Sequence, residues 1–186
     1  MRKIFLNSRF VSAGLALALG FASLPVLLHA STGPDTLNLT QKVRHELLML
    51  PYYTVFDDLS FQMNGHEVTL MGDVRNPTLK ADAERAIKRL PGVALVKNEI
   101  TVLPLSPMDD RIRLATVRAI YGFGPLQRYS MGAHPSIRII VDNGNVTLTG
   151  VVANEMDRNI AFMRANQVSG VFSVTNDLRI DTPSKT

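Results

Sequence analysis

Apolar and polar side chains alternate over Val68-Thr69-Leu70-Met71 and then reach Gly72. The same order returns 78 residues later as Val146-Thr147-Leu148-Thr149 and Gly150. Alternation predicts a strand buried on one face, because successive side chains point to opposite sides of a sheet. A glycine at its end predicts a bulge, a sharp exit or a closely approached backbone. Upstream, Leu59, Phe61 and Met63 alternate with Ser60 and Gln62. Asn64-Gly65 then supplies a tight turn, so a hairpin is predicted. Still earlier, Leu39, Val43, Leu47 and Leu50 recur at helical spacing behind Asn38 and Gln41, a capping-box start, and Pro51 stops the helix. Downstream, Asn76-Pro77 starts a helix whose inner stripe is Ala83, Ala86, Ile87 and Leu90, and Pro91-Gly92 breaks it. Residues 95–102 then form a third strand, with Val96, Asn98, Ile100 and Val102 on one face.

A second unit repeats this order. Ser106-Pro107 with Asp109 caps a helix running to about Tyr121, Ile137 to Val141 is a strand, and Asn143-Gly144 is the turn. Asn154 caps the next helix. Ala161, Ala165 and Val168 match Ala83, Ile87 and Leu90, while Val174, Asn176, Leu178 and Ile180 match Val96, Asn98, Ile100 and Val102. Upstream, Val43-Arg44 matches Val117-Arg118 at an offset of 74, so about four extra residues fall within 122–135. Two units of this size are each marginal alone, which predicts that the copies pack together.

Composition narrows the possibilities. The chain has 46% hydrophobic and 19% charged residues, a globular balance. It has no cysteine, which removes disulfides, thiolate metal sites and a lipoprotein anchor. The net charge of +4 is concentrated in Arg2, Lys3 and Arg9; the remaining residues carry a net of +1. A near-neutral body has no broad basic field for nucleic acid, and no Gly-x-x-Gly clamp is present.

Residues 1–30 have the form of an export signal. Arg2 and Lys3 precede an uncharged run over residues 10–28, and Pro25 ends the apolar segment before Ala30. Cleavage after Ala30 or after Ala22, or retention as an anchor in the inner membrane, fits the pattern. The expected division is therefore a signal at 1–30, a linker at 31–37, a first unit at 38–104, a second at 107–181 and a tail at 182–186.

Candidate chemistry is sparse. His45, His66 and His134 have no partners at metal-ligand spacing, so no metal site is expected. Asp57-Asp58 and Asp109-Asp110 are adjacent carboxylates that point apart, and Asp109 suits the start of a helix, where negative charge is favourable. Gly122-Phe123-Gly124-Pro125 lacks the preceding strand of a dinucleotide site. No catalytic residue or cofactor is expected. The helix over 107–121 is the most informative surface. Arg111, Leu114 and Arg118 fall on one stripe, opposite Ile112, Ala115, Ala119 and Ile120. Two arginines flanking a leucine suit an anionic membrane surface, and Phe123, Arg128, Tyr129 and Met131 in the following loop add aromatic and basic groups. Alternatively, Leu114 packs against the first unit and the aromatics plug the sheet end. Tyr52, Tyr53 and Phe56 are expected to cover the core of the first unit.

The duplicated Val-Thr-Leu-x-Gly run resembles the BON domain, as do the following alanine-bearing helix, the Pro91-Gly92-Val93 or Ser169-Gly170-Val171 turn and the closing Val-x-Asn-x-Ile/Leu strand. The resemblance covers residues 38–104 and 107–181, and departs from the pattern at the insertion in 122–135. It implies an α+β chain of two tandem small sandwiches, each a three-stranded mixed sheet with two helices on one face in αββαβ order. Gly72 and Gly150 would be markers of the fold. It further implies a non-enzymatic periplasmic module that binds a phospholipid surface or another envelope component and supports envelope integrity or stress tolerance. The alternative is a protein-interaction accessory module of an envelope complex.

Overall fold

The computed structural model describes residues 34–132 and 134–181. The expected signal, its cleavage points, the start of the linker and the tail lie outside the described residues. Thr32–Thr186 is one compact unit by itself, and it contains every residue of the two cores.

The first repeat runs α1 (Pro34–Leu48), β1 (Asp58–Asn64), β2 (Glu67–Val74), α2 (Pro77–Lys88), β3 (Leu95–Asn98) and β4 (Thr101–Val102). The second runs α3 (Pro107–Tyr121), a 3-10 helix (Gly124–Ser130), β5 (Ile137–Asp142), β6 (Asn145–Val152), α4 (Glu155–Asn166) and β7 (Ser173–Ile180). In each sheet the glycine-bearing strand is central. It pairs antiparallel with its hairpin partner and parallel with the closing strand, which makes each sheet mixed.

One side of each sheet carries both helices. In the first repeat Leu39, Val43 and Leu47 of α1 and Leu79, Ala83 and Ile87 of α2 meet Val68, Leu70, Val96 and Ile100 in one core. Ile112 and Ile120 of α3 and Ala161 and Ala165 of α4 meet Ile137, Ile139, Val146 and Leu148 in the other. Burying a side chain of this kind stabilises the fold by roughly 1.5–3 kcal/mol.

Several local expectations change. Helix α1 begins at Pro34, placing Asn38 inside the helix, because a proline is well suited to the first turn. The first hairpin turns through Gly65-His66, with Gly65 at φ +59°. The third strand is interrupted between β3 and β4, where the Asn98 side-chain oxygen accepts from the Ile100 amide at 3.2 Å. Its register is unbroken: Asn98 lies opposite Leu70 and Thr101 opposite Asp73. The upstream helices align at an offset of 73, because Leu39 lies 3.6 Å from the position a Cβ would take at Gly92, as Ile112 does at Gly170. The second repeat therefore carries five extra residues between its first helix and first strand.

The insertion falls in the segment that forms the 3-10 helix, Gly124–Ser130. Leu126 and Tyr129 are buried in the second core. The Tyr129 hydroxyl donates to Asp157 at 2.5 Å and accepts from the Ala153 amide at 2.9 Å. Asp157 stands where the first repeat has the buried Leu79; the insertion supplies the donors that a buried carboxylate requires.

The repeats are joined by residues 53–56. The buried carboxylate of Asp57 accepts from the Thr54 amide at 2.9 Å, the Thr54 hydroxyl at 2.6 Å and the Arg75 amide at 2.8 Å, which folds this segment. Val55 and Phe56 then pack against the second core, so Phe56 does not cover the core of its own repeat. The Ile139 amide donates to the Val55 carbonyl at 2.9 Å, and Arg138 donates to the Thr54 carbonyl at 3.0 Å with its guanidinium 4.6 Å from the Tyr53 ring centre. Arg75 and Asp110 add an exposed ion pair at 3.1 Å.

Candidate functional site

Helix α3 starts at Ser106, whose hydroxyl accepts from the Asp109 amide at 3.2 Å, with Pro107 in the first turn. Asp109 does more than favour the helix dipole. It is buried, and its carboxylate accepts from the Asn143 and Gly144 amides at 3.1 and 2.9 Å, fastening α3 to the β5–β6 hairpin. Arg113 is also buried, donating to Asp110 at 2.8 Å and to the Val141 carbonyl at 2.5 Å. Partial burial disfavours the charged form of Asp110, but hydrogen bonds and charge from Arg113 and Arg75 outweigh it and lower its pKa.

With Asp109, Ile112, Arg113, Thr116 and Ile120 turned inward, the helix presents Met108, Arg111, Leu114 and Arg118 outward, all exposed. Leu114 retains 51% of its surface, so it is not enclosed between the repeats. Leu105, just before the helix, is 84% exposed and extends the apolar part of this face. Arg111 donates only to the Met108 sulfur, at 3.6 Å, and among the described residues neither Arg111 nor Arg118 is in an ion pair.

The six residues singled out from the sequence therefore divide. Arg111, Leu114 and Arg118 share the exposed face. Phe123 is half-buried against the second core, with the Arg164 guanidinium 5.2 Å from its ring centre. Tyr129 is buried, so its aromatic surface is not available for contact. Arg128 is half-exposed, but it is held by Asp157 and donates to the Tyr129 hydroxyl at 3.0 Å. The insertion folds inward because Leu126 and Tyr129 fill the core, which takes its cation and aromatics away from the α3 face. Met108 and Leu105 were the residues missed, although Met108 stands three positions before Arg111 on the same stripe.

Gly72 and Gly150 lie at φ +111° and +115°, and a Cβ at either would be driven into a main-chain carbonyl oxygen, of Asp58 and Ser136 respectively. Their place is in the sheet. Among the described residues no group of His, Asp or Glu could hold a metal ion, and no helix is long and apolar enough to cross a membrane.

The BON domain family model matches residues 35–104 and 127–182. The chain belongs to the BON domain family. The second BON match begins at Gln127 and leaves out α3, although Ile112 and Ile120 of α3 complete the second core. The inserted residues separate that helix from the rest of its repeat. No curated protein sequence matches this BON chain. Among solved structures it is similar to CdsD, a structural protein of the type III secretion system of Chlamydia trachomatis, at 13% identity and a TM-score of 0.31, covering 77% of this chain and 92% of that one. A structure of the C-terminal domain of CdsD gives 13% identity and a TM-score of 0.32, covering 78% of this chain and 98% of that one.

Proposed function

We propose that this protein is an exported envelope module that adsorbs to anionic phospholipid through the outer face of α3. The observation that carries this reading is a half-exposed Leu114 set between Arg111 and Arg118, neither of which pairs with an acid among the described residues. Guanidinium groups match phosphate geometry, and an exposed leucine gains by entering the acyl boundary. Each arginine contributes about 1 kcal/mol near an anionic surface, and a leucine roughly 1.5–3 kcal/mol when fully buried. Leu114 has about half of its surface still to bury, so the total is roughly 3 kcal/mol, a weak adsorption with a dissociation constant of about 3–10 mM. The apolar run behind Arg2 and Lys3 supports export, and with it a periplasmic location as part of this reading.

Vesicle flotation of residues 32–186 tests the proposal. Binding is expected to phosphatidylglycerol vesicles and not to phosphatidylcholine vesicles, to weaken with salt, and to be lost in Arg111→Glu/Arg118→Glu. Equal binding to both vesicle types, or an equal loss from Arg44→Glu in the first repeat, would overturn it.

A further inference from the structure

The two repeats treat the same sheet edge in opposite ways. In the second, the outer edge of β5 is sealed at three points. The Tyr121 hydroxyl donates to the Ile137 carbonyl at 2.6 Å, the Ile139 amide donates to the Val55 carbonyl at 2.9 Å, and Arg113 donates to the Val141 carbonyl at 2.5 Å. Ile137, Ile139 and Val141 are all fully buried behind these contacts.

Their counterparts in β1 are Leu59, Phe61 and Met63, all only partly buried. At the offset of 73, Arg113, Val117 and Tyr121 become Thr40, Arg44 and Leu48. Leu48 has no hydroxyl to offer a carbonyl, Thr40 donates to the Met63 sulfur at 3.1 Å, and among the described residues no segment takes the place that Val55 has on β5. The result is a groove of about 520 Å³ between α1 and the free edge of β1, floored by Leu47, Leu59, Phe61 and Met63. Its size is within the range of ligand-holding clefts.

The direction of the main chain follows from alternation. In an antiparallel pair, alternate residues turn their N–H and C=O away from the partner strand. Leu59 is one of these, since its amide meets the Tyr53 hydroxyl at 3.4 Å, and Ile139, the counterpart of Phe61, is another. Phe61 and Met63 therefore turn their amides and carbonyls toward the groove, where no described group outside the sheet meets them. No charge or proline interrupts residues 59–63, the usual devices that blunt an edge.

We propose that this edge is a docking site for an extended, acidic segment of a partner polypeptide, which adds to the sheet beside β1. The second repeat shows the mode of contact, since Val55 of the first repeat already supplies a main-chain carbonyl to β5 and an apolar side chain to its core. Strand addition takes affinity from main-chain hydrogen bonds and specificity from alternate side chains. The charge of the groove selects the occupant. Arg44 from α1 and Arg179 from β7 both line it, both are exposed, and among the described residues neither makes an ion pair. A second copy of β1 would bring the same two cations to the contact and is disfavoured for that reason.

The test uses residues 32–186 and a ten-residue peptide of alternating valine and threonine carrying two glutamates, read by hydrogen–deuterium exchange. Exchange over residues 58–64 is expected to slow at least fivefold with peptide, while residues 137–142, whose edge is occupied, remain unchanged. Arg44→Glu/Arg179→Glu should lose this protection and regain it with a peptide carrying lysines in place of glutamates. Failure of the acidic peptide to protect residues 58–64 would overturn the proposal. So would protection by phosphatidylglycerol micelles alone, or protection that rises with protein concentration together with a dimer in sedimentation.

Discussion

The side-chain amide of Asn176 donates to the Arg158 carbonyl at 3.0 Å, and that of Asn98 donates to the Lys80 carbonyl at 2.9 Å. Each asparagine also uses its side-chain oxygen on the amide two residues ahead, Leu178 or Ile100, at 3.4 or 3.2 Å. One residue thus fastens the closing strand to the helix that precedes it, at equivalent places in both repeats.

Removal of either asparagine exposes this dependence. Asn98→Ala and Asn176→Ala should each destabilise the chain by about 1–3 kcal/mol, since the freed helix carbonyl and strand amide are partly buried. The two effects should add, because the residues belong to different cores. Urea unfolding of the single and double variants measures both quantities.

Gly72→Val and Gly150→Val should each cost more than about 2 kcal/mol. Positive φ disfavours a β-branched residue, and the new Cβ would meet a main-chain carbonyl rather than a flexible side chain. Thermal melts of both variants that match the parent would contradict this account.

Val55→Asp should loosen the joint between the repeats. It puts a carboxylate against the second core, where Val55 now packs, at a cost of several kcal/mol. The Ile139 amide should then exchange faster while Phe61 is unaffected. Residue-resolved exchange compares the two within one sample.

Asp73 gives the chain a pH dependence of known sign. Burial, then the charges of Asp58 and Asp142, raise its pKa, against a hydrogen bond from Thr101. A carboxyl group whose folded pKa is raised contributes stability below its unfolded pKa and loses it as pH rises through the folded value. The ionised form is therefore a cost at neutral pH. Asp73→Asn should raise the melting temperature at pH 7 by about 1–2 °C, the scale of a partly exposed group, and the gain should vanish below about pH 4. Melts across that range test it.

Much of this fold was written in short-range pattern. The alternation of residues 68–71 and 146–149 defined the central strands, and Asn76 and Asn154 marked helix starts that the structure shows capped on the amides of Thr78 and Asp157. The repeated apolar periods carried the αββαβ order because periodicity reports directly which face of an element is buried. The exposed stripe of Arg111, Leu114 and Arg118 was legible for the same reason. What periodicity could not report was contact between distant elements. For Tyr129 and Phe123 the pattern leaves open a surface contact or a plug at the sheet end, and the insertion folds both onto the second core; Arg113, Arg138 and Asp157 give no sign of burial because their partners come from other elements. Asp57 shows in the sequence only as one of two adjacent carboxylates, and its role in folding the segment that carries Val55 depends on the Thr54 and Arg75 groups it accepts from. Most of all, the difference between a sealed β5 and an open β1 depends on a main-chain bond spanning 84 residues and on whether one helical position holds tyrosine or leucine. The sequence by itself determined the two sheets and their inner faces; only the tertiary structure decided which of their edges was left free, because an edge is closed by whatever the rest of the chain brings to it.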